Sequence, residues 1–410
     1  MKRSNLPVPK FALLLTLLLA ILLFCAKPHH PLSFEKRMIA NDYKGWWGRT
    51  LVDMNGDGLL DVALLKQALK PEGATGWLGW YETRQGGSEW TLHVIEKDNP
   101  VFGSGDLAAG DFDNDSDIDI IAFEVEKEGT DKPGDVFWYE NPGDPSSADW
   151  PRHFIGKSPA FVKDVELADF NQDGKLDVVI VTYVYNKVVI FRQDSPTEWA
   201  TVQEIFVNNL HEGMDIGDID GDGDTDIAAN GYWLENPGGD LSAEWPLRSI
   251  DEKWHNQSGD WRKNATKVFC KDINDDGRVE VFISHSESQE YKYPIAWYES
   301  DDPRNGSWTE HIIAENYRHC HTLQVFDMDL DGDADVLAGE IPEQPTDKRV
   351  RIFLNKGNFL EWEEYTFSDQ GIYNGLVGDL EGDGDYDIFT APGFSDQYPD
   401  YNVWVNQVIQ

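Results

Sequence analysis

The chain predicts an all-β fold, a seven-bladed β-propeller carrying Asp-rich metal loops and closed into a ring by its own N-terminal strand. Three observations predict it. A ten-residue acidic motif, DIDGDGDTDI at residues 218–227, recurs seven times. Two aromatic signatures follow most copies at similar offsets, which makes each repeat about 50 residues long, the size of a four-stranded blade. The two ends of the chain are complementary fragments of one repeat.

The acidic motif comes first. Its other copies are DMNGDGLLDV from Asp53, DFDNDSDIDI from Asp111, DFNQDGKLDV from Asp169, DINDDGRVEV from Asp272, DMDLDGDADV from Asp327 and DLEGDGDYDI from Asp379. Positions 1, 3, 5 and 9 carry oxygen side chains. In chain order these are Asp53, Asn55, Asp57 and Asp61; Asp111, Asp113, Asp115 and Asp119; Asp169, Asn171, Asp173 and Asp177; Asp218, Asp220, Asp222 and Asp226. The last three sets are Asp272, Asn274, Asp276 and Glu280; Asp327, Asp329, Asp331 and Asp335; Asp379, Glu381, Asp383 and Asp387. A glycine at position 6 allows the sharp turn, except that Ser116 takes its place in the second copy. Ca²⁺ takes six to eight hard oxygen ligands, and a short acidic loop bent at glycine delivers them. An EF-hand would add flanking helices and a Glu at position 12. Here the flanks are strand-like runs such as Val178-Val179-Ile180-Val181, so each motif is read as a calcium loop joining two β-strands.

The remaining strands follow from the signatures. The first is Trp80-Tyr81-Glu82, Trp138-Tyr139-Glu140, Trp233-Leu234-Glu235 and Trp297-Tyr298-Glu299, with weaker forms at Phe353 and Trp404. The second is a Trp-x-x-His strand, as at Trp90 to His93, Trp150 to His153 and Trp308 to His311. His93, His153 and His311 recur at one place, so they are expected to pack and not to catalyse. Residues 34–39 look like a lone fourth strand, and the last repeat stops after its third, so the former is expected to complete the latter and leave no open sheet edge.

Composition bounds the partners. The net charge is −41, and removing residues 1–30, which hold four basic and no acidic residues, makes it −45. The ligand positions hold 25 carboxylates, so much of this acidity is ligand charge. Nucleic acid and anionic membrane surfaces are excluded as partners by such a field. Residues 1–30 carry Lys2, Arg3 and Lys10 ahead of a short apolar run, which reads as a signal peptide or an N-terminal lipid or membrane anchor and implies an exported protein, secreted, periplasmic or surface-anchored. Cys270 and Cys320 stand at different heights relative to their loops and are not expected to pair.

The Asp-x-Asp-Gly-Asp-Gly loops between strands resemble the FG-GAP or VCBS repeats of integrin α-chain propellers and of secreted bacterial proteins, over residues 34–410. The resemblance implies the propeller and its calcium. In architecture the chain also resembles secreted propeller polysaccharide lyases and sugar dehydratases, whose active sites lie at one end of the ring.

If the calcium loops occupy one face, the start of each first strand and the end of each second strand meet at the other. The first set is Trp46, Trp47, Ser104, Asp106, Lys163, Asp164, His211, Glu212, Asn264, Thr266, Arg318, His319, His321, Tyr373 and Asn374. The second is Lys66, Glu124, Tyr183, Asn230, His285, Glu287, Glu340 and Phe394. β-Elimination beside a uronate carboxylate requires a base, an acid and a group that neutralises the carboxylate. His211, His321 and Tyr183 are the candidate base and acid, and Lys163 and Arg318 the neutralisers. Trp46, Trp47, Asn264, His285 and Trp261 are candidate substrate contacts, Trp261 lying in an insertion at residues 251–263 that also holds Trp254 and His255. The expected function is therefore a carbon–oxygen lyase or dehydratase acting on an acidic poly- or oligosaccharide. Two alternatives stand beside it: a glycan-binding or adhesion propeller without catalysis, and an axial Zn²⁺ or similar ion on His211, His285, His321 and Glu340.

Overall fold

The computed structural model describes residues 31–41, 46–66, 75–99, 102–124, 132–288, 290, 293–341, 348–391 and 400–409. The expectations for residues 1–30 and Phe394, and for the side chains of Trp46 and Trp47, lie outside the described residues. Among the described residues no helix is long and apolar enough to cross a membrane.

Among the described residues seven four-stranded antiparallel sheets form, six of them ordered from the axis outward as the chain runs and the seventh taking its outermost strand from the N-terminus. The third is typical: Val162–Ala168, Asp177–Thr182, Lys187–Ser195 and Glu198–Phe206. The second strand, DVVIVT, is buried throughout because a neighbouring blade covers each of its faces, which is why it reads as a continuous apolar run. The outermost strand mixes exposed and half-buried residues because it meets water. This blade lacks the Trp-Tyr-Glu signature, yet Val188, Val189, Ile190 and Phe191 fill the same place. In the seventh sheet Leu376–Gly378, Asp387–Thr390 and Tyr401–Asn406 are joined by Phe34–Ala40, which pairs antiparallel with Tyr401–Asn406 and sets Phe34 opposite Asn406.

The core is divided into seven clusters, and each spans two adjacent blades. Val178 and Phe191 of the third blade pack on Ile121 and Trp138 of the second. Val62 and Leu64 of the first pack on Phe389 and Val403 of the seventh, which seals the ring. The repeated tryptophans are wedges: the indole N–H of Trp80, Trp138 and Trp297 donates to Pro145, Pro196 and Phe359 respectively, each on the next blade. His93, His153 and His311 lie stacked on those same indoles at 4.6, 4.3 and 4.0 Å and meet the Glu of the signature at 2.6–2.7 Å, a packing role. Arg248 replaces the histidine in the fourth blade, over Trp233 and bonded to Glu235.

Innermost strands expose backbone N–H groups to the axis, and these need acceptors. Carboxylates of the preceding blade supply them. Asp164 accepts from the Gly213 amide at 2.9 Å, and Asp215 from the Cys270 amide at 2.6 Å. Cys270 and Cys320 are unpaired.

Candidate functional site

Strand register fixes the two faces. Each position-9 residue is paired with the end of the first strand, as Asp177 with Ala168, while Val162 lies opposite Thr182, Thr266 opposite His285 and Cys320 opposite Glu340. First-strand starts and second-strand ends therefore gather at the face away from the acidic loops.

An axial cavity of about 360 Å³ is lined by inner-strand residues of all seven blades, among them Arg49, Asp106, Lys163, Asp215, Lys267, His321 and Asn374. Its acids are mutually close and poorly hydrated. Burial, with repulsion from Asp164, pushes Asp106 up to about 7. Burial likewise raises Asp215 to about 7 and Glu166 well above the usual carboxylate range. Glu212 goes the other way, to about 2: burial alone would raise it, but the charges of Lys163, His321 and Lys267 prevail. Arg49 is a residue that the strand-end rule misses, because it sits inside the strand Trp46–Val52. The residue is 3% exposed, its guanidinium packs 5.7 Å from the Tyr373 ring, and none of its nitrogens has a hydrogen-bond partner.

At first-strand starts and second-strand ends, Tyr183, His211 and Trp261 form an aromatic triangle with centroid separations of 5.2–5.8 Å. Lys163 stands 5.3 Å from the Tyr183 ring centroid and 3.5 Å from Glu212, which joins the triangle to the cavity. Burial lowers His211 below the ordinary imidazole value, so the ring is neutral at pH 7. A hydrogen bond with the Tyr183 backbone engages one face of its chemistry, while Nδ1 is buried without a partner.

Other expected site residues lie elsewhere. Asn264 is 2% exposed, and its carboxamide closes the insertion by bonding both the N–H and the C=O of Gln257, at 2.8 and 2.9 Å. His285 is 2% exposed between Trp254 at 4.9 Å and Tyr293 at 3.7 Å. Glu340 is held by Arg349 at 2.7 Å. His211, His285, His321 and Glu340 are therefore not drawn into one cluster. His321 instead faces Glu287 at 3.4 Å and Glu212 at 3.6 Å, two axis residues to which the sequence assigns no role. Arg318 is half-buried beside His319 and Glu340.

The acidic loops share one construction. The position-1 carboxylate accepts the amide of position 6, as Gly58 to Asp53, Gly174 to Asp169 and Gly332 to Asp327. The buried position-9 carboxylate bonds the position-2 amide with one oxygen and the third strand with the other, as Asp335 does with Met328 and Asn355. Glu280 departs from this, since its second oxygen accepts from the Asn274 side chain. Ligand oxygens converge in three loops: Asp111, Asp113 and Asp115; Asp218, Asp220 and Asp226; Asp327, Asp329 and Asp335. In the middle one Arg304 reaches Asp220 at 2.8 Å and Asp222 at 2.5 Å.

FG-GAP-like repeats are matched at residues 111–180, 169–229, 272–338 and 327–390, more than half of the chain. No curated protein matches the sequence significantly. Among solved structures, BBS1N in complex with ARL6DN aligns at 10% identity and a TM-score of 0.52, over 92% of this chain and 97% of that one. A mutant α-L-arabinofuranosidase Arb93A from Fusarium graminearum, in complex with an iminosugar inhibitor, aligns at 11% identity and a TM-score of 0.50, over 91% and 96%. Such likenesses are of fold alone. With its four matched segments spread over a seven-bladed ring, the chain belongs to the family of FG-GAP-like repeat proteins.

Proposed function

We propose that the protein is a calcium-stabilised propeller that carries out β-elimination on an acidic poly- or oligosaccharide at its axial mouth. One observation carries the reading: a neutral imidazole, a phenol and an indole cluster beside Lys163, whose ammonium joins them to a cavity that holds the unpartnered guanidinium of Arg49. A buried guanidinium without a hydrogen-bond partner is costly, and an anionic ligand relieves that cost. His211 Nδ1 takes the proton from the carbon beside the uronate carboxylate. The electron pair forms the new C=C bond as the C–O bond to the leaving sugar breaks, and Tyr183 protonates the departing oxygen. Lys163 offsets the carboxylate charge, and Trp261 offers a face on which a sugar ring stacks. His321 has no part in these steps, because its free nitrogen faces Glu212 and Glu287.

Calcium belongs to the loops. Converging carboxylates and the buried, donorless Oδ1 of Asp327 fit a hard divalent cation, which when bound supplies the neutralising charge there.

The test is incubation of the calcium-loaded protein with a panel of uronate-containing polysaccharides and oligosaccharides, read by ultraviolet absorbance of unsaturated uronate and by product mass. Unsaturated product is expected, with turnover lost in His211→Ala and the acid limb of kcat/KM lying below the ordinary imidazole range. Binding without product would replace elimination with the glycan-binding reading.

A further inference from the structure

We propose that Glu212, Glu287 and His321 form a binding site for one divalent transition-series cation of the Zn²⁺ class on the propeller axis. Three adjacent blades build it. Glu212 precedes the inner strand Met214–Gly217, Glu287 follows the strand Glu280–His285, and His321 lies in the inner strand Cys320–Phe326. One ligand atom from each lies within 4.8 Å of the other two.

The imidazole supplies the second observation. His321 is 2% exposed and its Nε2 has no hydrogen-bond partner. Its Nδ1 lies 2.6 Å from Asn374 Oδ1, a carbonyl oxygen, so Nδ1 is the donor and Nε2 is the nitrogen left to take a cation or a proton. Nε2 faces carboxylate oxygens of Glu287 and Glu212, 3.4 and 3.6 Å away. A nitrogen and two carboxylates facing one point are held there by a positive charge, either a metal ion between them or a proton on Nε2. The separations exceed hydrogen-bond length. They match ligands placed tetrahedrally about an ion at roughly 2.0–2.2 Å, whose edges measure roughly 3.3–3.6 Å.

The surroundings are those of a supported metal site. Asn374 orients the imidazole, the Ser286 hydroxyl donates to Glu212 Oε1, and Lys163 lies 3.5 Å from Glu212 Oε2. His321 is stacked on Tyr373 at 4.3 Å, which fixes its plane. One nitrogen and two carboxylate oxygens suit Zn²⁺ or Mn²⁺, whereas Ca²⁺ takes an all-oxygen shell of six to eight ligands. The Glu287 side chain is 20% exposed, giving the ion an entry and leaving a position open to water or a sugar oxygen. His319, with both ring nitrogens unpartnered and φ +43°, flanks the site but is not in the three-residue group. The alternative occupant is a proton: an imidazolium bridging the two carboxylates.

The experiment titrates the full chain in saturating calcium, which fills the acidic loops, with Zn²⁺ by calorimetry and with Co²⁺ by visible absorption. No sugar is present, so its outcome is independent of the elimination reading. One equivalent of Zn²⁺ is expected, and a Co²⁺ spectrum of tetrahedral intensity. His321→Ala and Glu287→Gln should each weaken binding by more than about 100-fold. Glu287→Gln should also keep the calcium-loaded melting temperature, which makes it the deciding variant if His321→Ala does not fold. Unchanged affinity in Glu287→Gln, or no binding by the wild type beyond calcium, would overturn the proposal in favour of the imidazolium.

Discussion

Ser116 occupies the turn position that glycine holds in the other six loops, and it does so at φ +78°, where L side chains are disfavoured. The six glycines lie between +85° and +97°, and a Cβ on most of them would meet nothing within 4 Å, so backbone conformation and not space demands glycine here. Ser116→Gly should therefore stabilise the protein by about 1 kcal/mol, measured by denaturant unfolding at fixed calcium. A second residue-scale prediction concerns Asp106. Burial holds its folded-state value at about 7, above the unfolded value, so its contribution is complete at low pH and is lost as pH rises toward about 7. Asp106→Asn removes that loss. In saturating calcium, the stability of the wild type relative to Asp106→Asn should fall between about pH 4 and about pH 7, and a pH-independent gap would contradict the assignment.

The 251–263 insertion is two elements in one. Its first half is core: Trp254 is fully buried, its indole donates to the Tyr298 hydroxyl at 2.8 Å, and that hydroxyl donates to Asp251. His255 stacks on Tyr232 at 3.6 Å. The second half, the 3₁₀ turn Trp261–Lys263, is capped by Asp260 and sets Trp261 against Tyr183 and His211. Trp254→Ala should cost about 3–5 kcal/mol in an unfolding titration. Trp261→Ala should stay within about 1 kcal/mol of wild type while weakening glycan binding, and a reversed order would misassign both halves. Composition does not separate the two tryptophans. Both stand in one polar loop, and the difference arises from which neighbours each half meets after folding.

At the scale of the whole molecule, charge and closure dominate. The acidic loops concentrate carboxylates whose mutual repulsion a bound cation removes, and ligands that bind only the folded state stabilise it. Excess chelator should lower the melting temperature by about 10 °C or more, and an unchanged melting curve would remove calcium from the structural account. Ring closure is the counterpart: with Phe34–Ala40 in the seventh sheet, both ends of the domain lie in one blade.

The number of blades, the loop-bearing turns, the four-strand repeat and the packing role of the repeated histidines were all legible in the chain, because each rests on local spacing that recurs. A repeat states its own architecture. The sequence also placed Lys163, His211 and Tyr183 at one end of the ring, since strand direction alone decides which end a residue occupies. What the order of residues did not contain was which side chains turn inward and which partners they find there. Asn264 and His285 stand at axis positions yet are drawn into packing by Gln257, Trp254 and Tyr293, whereas Arg49 and the set of Glu212, Glu287 and His321 emerge only when separate blades meet. Tertiary structure decided these, because side-chain direction at an axis depends on steric and electrostatic contacts between segments up to hundreds of residues apart, and no local pattern encodes them.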